Sequence, residues 1–170
     1  MDGWRSRHRQ TPDGAVESEQ EAGLWAPVVP FDEHGAERLG RAYWAEVEHS
    51  TRHVIRARER DGRTELRLLG GPVLLRFDRP RLESSSGLAR CTYPILGGFL
   101  ARRRAGEISF AQIDGEGLRL RSSIRGFFPR LAAREGEPDW TGALYDRVQS
   151  RIHVAISRRY FARLVAGAGR

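Results

Sequence analysis

The apolar residues change their spacing along the chain, and in the longest stretch they recur at every second position. Between residues 53 and 127, six short segments alternate apolar with polar or arginine side chains, which is the pattern of strands with one buried face. In one of these segments, Val73, Leu75 and Phe77 fall on the same side. The pattern therefore predicts six strands.

Short turns join the predicted strands. Asp61-Gly62 is a dipeptide that a tight hairpin turn prefers, and residues 114–117 form a second glycine-rich turn. Pro80 marks a bend within what reads as one long strand, since proline cannot donate to a central ladder. Because short turns connect neighbouring strands, the sequence predicts an antiparallel sheet.

Two segments have helical spacing instead. Asp32 is a suitable N-cap for a short helix from about Gly35 to Glu48. A longer helix is predicted from about Thr141 to Val165, where apolar residues recur at three- and four-residue steps. About 25 residues at ~1.5 Å each span ~37 Å, which is enough to cross a sheet.

The first 31 residues lack a clear pattern. Residues 1–23 show no apolar periodicity, and we expect a disordered leader there. Residues 24–31 are apolar but include two prolines, which predicts an edge strand or an extended segment packed on the core. Residues 24–170 are expected to form a single α+β domain.

Charge adds one question about partners. The chain of 170 residues has 29 basic and 22 acidic residues, a net charge of +7, and all 29 are arginine. A basic sheet that binds nucleic acid usually interleaves aromatic residues with its cations. Here Phe77, Tyr93 and Phe110 belong to the apolar set, which favours a solvated arginine face over a nucleic-acid partner. No apolar run approaches the ~18 residues of a membrane span, and no secretory signal is visible, so we expect a cytoplasmic protein.

Residues 46–53 contain the spacing of a possible metal site. Glu46, His49 and His53 would share one face if the short helix continued through them. Ser50 and Thr51 indicate that the helix ends there instead. We predict neither a metal site nor a cofactor.

The other candidate chemistry is weaker still. A phosphate-binding loop leads into a helix, whereas Gly97-Gly98 leads through Arg102–Arg104 into another strand, which favours a bend and a solvated turn. Cys91, the only cysteine, stands in an apolar strand, as is typical of a buried side chain rather than a nucleophile. No catalytic residue is assigned, and whether the protein is an enzyme stays open.

The order of elements over residues 24–165 resembles the START-like, or SRPBCC, superfamily of helix-grip folds. The resemblance implies an antiparallel sheet of six to seven strands wrapped around the long C-terminal helix, with one short N-terminal helix and an apolar cavity between sheet and long helix. A closed barrel of lipocalin type and a sheet-plus-helix interaction module without a cavity are the alternative folds.

The same resemblance implies the binding of an apolar or amphiphilic small molecule in that cavity, without catalysis. The candidate ligand contacts are the inward-facing side chains Phe77, Cys91, Tyr93, Phe110, Gln112, Ser122, Tyr145 and Ile152. The alternative functions are a cyclase- or hydrolase-type enzyme on the same scaffold, a binder of nucleic acid or anionic surfaces, and a protein-interaction module.

Overall fold

The chain forms one antiparallel sheet and two helices that pack on the same face of it. The computed structural model describes residues 2–130 and 139–168, and the side chains of the last helix from Val154 onward. The elements are β1 (Asp2–Gln10), β2 (Val16–Gly23), α1 (Glu33–Ser50), β3 (Ile55–Arg60), β4 (Arg63–Leu68), β5 (Val73–Phe77), β6 (Arg81–Ser85), β7 (Leu88–Gly97), β8 (Glu107–Ile113), β9 (Arg119–Phe127) and α2 (Asp139–Ala168).

The strands are ordered β1-β2-β9-β8-β7-β5-β4-β3, and β6 also pairs with β7. Phe77 of β5 pairs with Ile95, and Arg81 of β6 pairs with Thr92, so β5 and β6 follow one another along the same edge of β7. Pro80 lies between them. The bend predicted at this proline is therefore the point where one long strand divides into two.

The N-terminal residues correct the predicted disordered leader, because they form the hairpin of β1 and β2. Along β2, the even-numbered residues 16–22 are buried and the odd-numbered ones are partly exposed. Two of the buried residues, Ser18 and Gln20, are polar. Buried and exposed positions therefore alternate along β2 without the apolar–polar alternation that would predict a strand. With this hairpin the described residues contain nine strands, more than the six to seven predicted.

The two-proline segment, residues 24–31, is a connection with several bends rather than a strand. Val28 and Val29 are 5% and 3% exposed and pack in the core. Asp32 then caps α1, since its side chain accepts a hydrogen bond of 2.7 Å from the Gly35 N–H. The helix begins at Glu33, close to the predicted start.

The second helix, α2, packs against α1 and β2. The Tyr160 hydroxyl donates to the carbonyl oxygen of Leu39 at 3.0 Å, and Arg163 Nε lies 2.8 Å from Glu46 Oε2. Both contacts join α2 to α1, so the helices cover the inner face together. Neither helix in the described part of the chain has the length and apolarity needed to cross a membrane.

Candidate functional site

The arginines on the outer face of the sheet are largely paired with acidic residues. Arg121 of β9 donates to Glu21 of β2 through Nε (3.0 Å) and Nη2 (2.7 Å). Arg119 lies 3.8 Å from Glu21, and Arg125 lies 3.8 Å from Glu19. The N-terminal hairpin thus supplies carboxylates to strands that look purely basic in the sequence. On β2 and β9 these residues form a ladder of opposite charges.

Four of the residues predicted as ligand contacts lie beneath α1, where two helix aromatics meet them. The Trp44 ring centre is 5.0 Å from that of Phe77 and 5.2 Å from that of Tyr93. The Tyr43 ring centre is 4.2 Å from that of Phe110. Aromatic pairs at these separations are in direct contact. These side chains therefore meet protein rather than an open space.

The fourth of them, Cys91, lies at the closest approach of α1 to the sheet. A Cβ atom at Gly40 would lie 2.8 Å from the Cys91 sulfur and 2.6 Å from the Tyr93 hydroxyl oxygen, so the helix needs glycine here. Burial raises the pKa of the Cys91 thiol to about 12. The thiol is therefore protonated at neutral pH and is not an activated nucleophile.

A small cleft opens beside this cluster, at the edge of α1. It holds about 230 Å³. Its lining combines aromatic, small and charged side chains, namely Glu37, Arg41, Trp44, Ala57, Glu59, Gly62, Thr64, Pro80 and Tyr93. Pockets for drug-sized ligands commonly hold about 300–1,000 Å³, so this cleft is smaller than that range.

Gln112, another predicted contact, holds the two-proline segment in place. Its Oε1 accepts hydrogen bonds from the Val28 N–H (2.7 Å) and the Val29 N–H (3.2 Å). Its Nε2 donates to the Val29 carbonyl oxygen at 2.8 Å. All three amide hydrogen bonds go to the protein backbone, so this side chain acts as a structural anchor.

Ser122 lies in a different environment, on the inner face of the β2–β9 pair. It is opposite Gln20 in the register of the two strands, and both residues are 0% exposed. Gln20 Nε2 donates to Ser18 Oγ at 2.8 Å. Oε1 of Gln20 and Oγ of Ser122 have no hydrogen-bond partner among the described residues. Leaving such an atom buried and unpaired costs about 1–3 kcal/mol, so each one calls for an explanation.

The helix facing β2 contributes a further atom of the same kind. Ser157 is fully buried, and its Oγ also lacks a hydrogen-bond partner within the described part of the chain. It precedes the buried residues Tyr160 and Phe161 by about one turn of α2. We call Ser18, Gln20, Ser122 and Ser157 the inner polar cluster. Tyr145 and Ile152, the remaining predicted contacts, lie outside the residues whose side chains the structure describes.

Three members of the inner polar cluster were not predicted from the sequence. Ser18 and Gln20 fall in the segment expected to be a leader, and Ser157 stands beside apolar residues of a helix. The signal that was available is the alternation of residues 16–22 with the three glutamates between them. A strand of this kind can be predicted from the sequence only if the alternation is followed through its acidic residues instead of its apolar ones.

The possible metal site is not assembled. His53 lies beyond the end of α1 with a φ of 62°, and Glu46 is buried and paired with Arg163. Within residues 2–130 and 139–168, no group of three or more His, Cys, Asp and Glu side chains is placed to hold a metal ion.

Comparison with known proteins gives one structural neighbour. The crystal structure of CalU16 from Micromonospora echinospora aligns with 99% of this chain and 98% of its own, at 14% sequence identity and a TM-score of 0.34. No family model matches the chain. No curated protein sequence matches it either.

Proposed function

We propose that the protein binds an uncharged amphiphilic small molecule between α2 and the β2–β9 part of the sheet, without catalysis. The observation that carries this proposal is the inner polar cluster. Gln20, Ser122 and Ser157 are each 0% exposed, and each has a side-chain oxygen without a partner among the described residues. These three atoms lie on elements at the inner face of the sheet. Left unpaired, each would cost about 1–3 kcal/mol of folding free energy, which is large for a domain whose stability is typically about 5–15 kcal/mol.

The chemistry of the cluster indicates the kind of ligand. A glutamine Oε1 accepts a hydrogen bond, and a serine Oγ can donate or accept. No member of the cluster carries a charge, and an unpaired charge would be expensive in this setting. A hydroxyl, keto or amide group satisfies the cluster without that cost. The rest of the ligand would lie along apolar neighbours such as Leu120, which is 1% exposed.

The fold supports a site at this position. Both helices pack on one face of a large antiparallel sheet, and the long helix follows the last strand, as in the helix-grip folds that the order of elements resembles. In such folds the ligand lies between the sheet and the long helix. We therefore propose the finer assignment as well, namely a helix-grip fold in which α2 is the gripped helix and β1 is an additional edge strand.

Two adjacent serines of β9 provide a matched test. Ser122 belongs to the inner polar cluster, whereas the Ser123 hydroxyl is hydrogen-bonded to that of Ser109 at 2.8 Å on the opposite face of the sheet. The assay is displacement of bound anilinonaphthalene sulfonate by a medium-chain alkanol and by the carboxylate of equal chain length. We expect the alkanol to bind more tightly than the carboxylate. Loss of one hydrogen bond to the ligand predicts about 5- to 10-fold weaker alkanol binding for Ser122→Ala, and no change for Ser123→Ala.

Buried water is the competing explanation for the cluster, since a water molecule with two to four polar partners also satisfies such groups. Native mass spectrometry of the protein as purified separates the two explanations. A retained small molecule, lost in Ser122→Ala and kept in Ser123→Ala, supports the ligand. Equal displacement curves for both variants, together with no retained mass, would refute the proposal.

A further inference from the structure

One end of the sheet carries a row of exposed apolar side chains, which we call the apolar rim. Its members are Val54, Leu68, Leu69 and Phe99, at 49%, 38%, 61% and 50% exposure. Trp25 is the other large hydrophobic residue exposed among the described residues, and it lies near Leu118, at the opposite end of β9 from the rim.

Backbone hydrogen bonds join the neighbouring segments that carry the rim. The Leu69 N–H donates to the Val54 carbonyl oxygen at 2.8 Å, and the Leu68 N–H donates to that of Pro72 at 3.3 Å. The Phe99 N–H donates to the carbonyl oxygen of Val73, the residue after Pro72, at 2.9 Å. The row therefore follows the ends of β3, β4, β5 and β7. Large exposed apolar side chains grouped at one end of a sheet are typical of an interaction site.

Four arginines flank the rim, and the guanidinium of one of them, Arg103, lies 4.6 Å from the centre of the Phe128 ring. Arg102, Arg103 and Arg104 are exposed in the turn after Phe99, and Arg130 lies with its guanidinium 5.7 Å from the centre of the Phe99 ring. None of these four arginines forms an ion pair with a carboxylate of the described residues, in contrast to the arginines of β9. The sequence alone predicts a solvated turn here, and the structure adds the apolar neighbours.

We propose that the apolar rim and its arginines dock the protein on an anionic lipid bilayer. Leucine, valine and phenylalanine side chains can insert at the boundary between headgroups and acyl chains, while arginines meet the anionic headgroups. Nucleic acid would use the arginines but would leave Leu69 exposed to water. A bilayer is the partner that uses both parts of the surface. This proposal is independent of the ligand proposed for the inner polar cluster.

The first test follows insertion of the rim directly. Cys91 is buried and its thiol has a raised pKa, so a cysteine introduced at the surface is labelled selectively. We would attach an environment-sensitive fluorophore to Leu69→Cys and, as the control, to Trp25→Cys. With vesicles that mix phosphatidylserine and phosphatidylcholine, we expect a blue shift of emission for the label at position 69 and none at position 25. Equal shifts, or none at either position, would overturn the proposal.

The second test measures the arginine contribution by vesicle sedimentation. Changing Arg102–Arg104 to glutamine should weaken binding by about 100-fold, since each arginine near the surface contributes a factor of about five. The control changes Arg58, Arg60 and Arg63 at the opposite end of β3 and β4, which removes the same net charge. It should weaken binding by only a few-fold. Equal losses in both variants would overturn the docking geometry.

Two further outcomes would assign the rim to another partner. One is tight binding to duplex DNA that does not change in a Leu69→Ser/Phe99→Ser variant. The other is a dimer, seen by light scattering in the absence of lipid, that this variant dissociates. Both side chains are at least half exposed, so the variant is expected to fold, and near-ultraviolet circular dichroism checks this.

Discussion

Replacing Gln112 by leucine tests whether this side chain anchors the two-proline segment or contacts a ligand. The amide makes three hydrogen bonds, to the N–H groups of Val28 and Val29 and to the Val29 carbonyl oxygen. Leucine has a similar size but offers neither a donor nor an acceptor. The substitution therefore leaves three buried backbone groups without partners and changes little else.

The expected loss of stability can be worked out from these contacts. Each buried group left unsatisfied costs about 1–3 kcal/mol, and the apolar side chain recovers about 1–2 kcal/mol on burial. The net destabilisation of Gln112→Leu is then about 1–8 kcal/mol, with a midpoint of ~4.5 kcal/mol, which is a large part of the ~5–15 kcal/mol of a typical domain. Gln20→Leu is the matched control. Gln20 is also 0% exposed, but its amide makes one hydrogen bond, to Ser18, and its Oε1 has no partner among the described residues. We expect it to cost less than about 1 kcal/mol.

Urea denaturation followed by far-ultraviolet circular dichroism measures both variants. The denaturation midpoint should fall strongly for Gln112→Leu and only slightly for Gln20→Leu, with the same m-value as the unchanged protein. A loss below about 1 kcal/mol for Gln112→Leu, or equal losses for the two variants, would refute the anchoring role. Weaker ligand binding by a fully stable Gln112→Leu variant would instead return this residue to the ligand site.

Two further predictions concern packing and pH. Gly40→Ala should lower the melting temperature, because the new methyl group would lie 2.6 Å from the Tyr93 hydroxyl oxygen. The resulting overpacking costs about 1–3 kcal/mol, which exceeds the ~1 kcal/mol gained in helix propensity. A higher melting temperature would contradict the close packing of α1 on the sheet. The second rests on Glu65, whose pKa is held below its ordinary value first by Arg76 and then by Arg67, each donating at 2.9 Å. Its lowered pKa stabilises the fold above the ordinary pKa, and that contribution disappears as the pH falls through the lowered value. Glu65→Gln should therefore be less stable than the unchanged protein at pH 7 and approach it near pH 3, and a urea midpoint difference that does not change with pH would count against this.

The sequence predicts the central part of the fold well because the period there is carried by apolar residues. The strands from β3 to β9, the cap at Asp32 and the long second helix all appear close to their expected places. The hairpin of β1 and β2 was missed because Ser18 and Gln20 occupy buried positions that the apolar pattern cannot mark. Register with β9, rather than hydrophobicity, places them inside. In the sequence, such a strand is marked by the spacing of its glutamates and not by apolar residues.

The candidate site was harder to predict for a related reason. The alternation along a strand predicts which side chains face the inner side of the sheet, and this prediction is correct for Phe110, Gln112 and Ser122. What an inward side chain meets depends on the helix that covers it. Phe110 meets Tyr43 of α1, and Gln112 meets backbone groups of the two-proline segment, whereas the Oγ of Ser122 meets no partner among the described residues. These differences arise from tertiary packing, and the spacing of residues along the sequence does not show which groups will pack together.

The two helices thus divide the inner face of the sheet into parts with different chemistry. Beneath α1, Trp44 and the aromatic side chains of β5, β7 and β8 pack against one another, and Gly40 lets the helix approach the sheet closely. Beneath α2, the buried side chains of β2 and β9 include polar groups that have no partner among the described residues. Changes under α1 should therefore act on stability, whereas the proposed function predicts that changes at Gln20, Ser122 or Ser157 act on ligand binding. Under the proposed function, substitutions in β2, β9 and α2 would change which ligand is bound, while the packing beneath α1 keeps the fold intact.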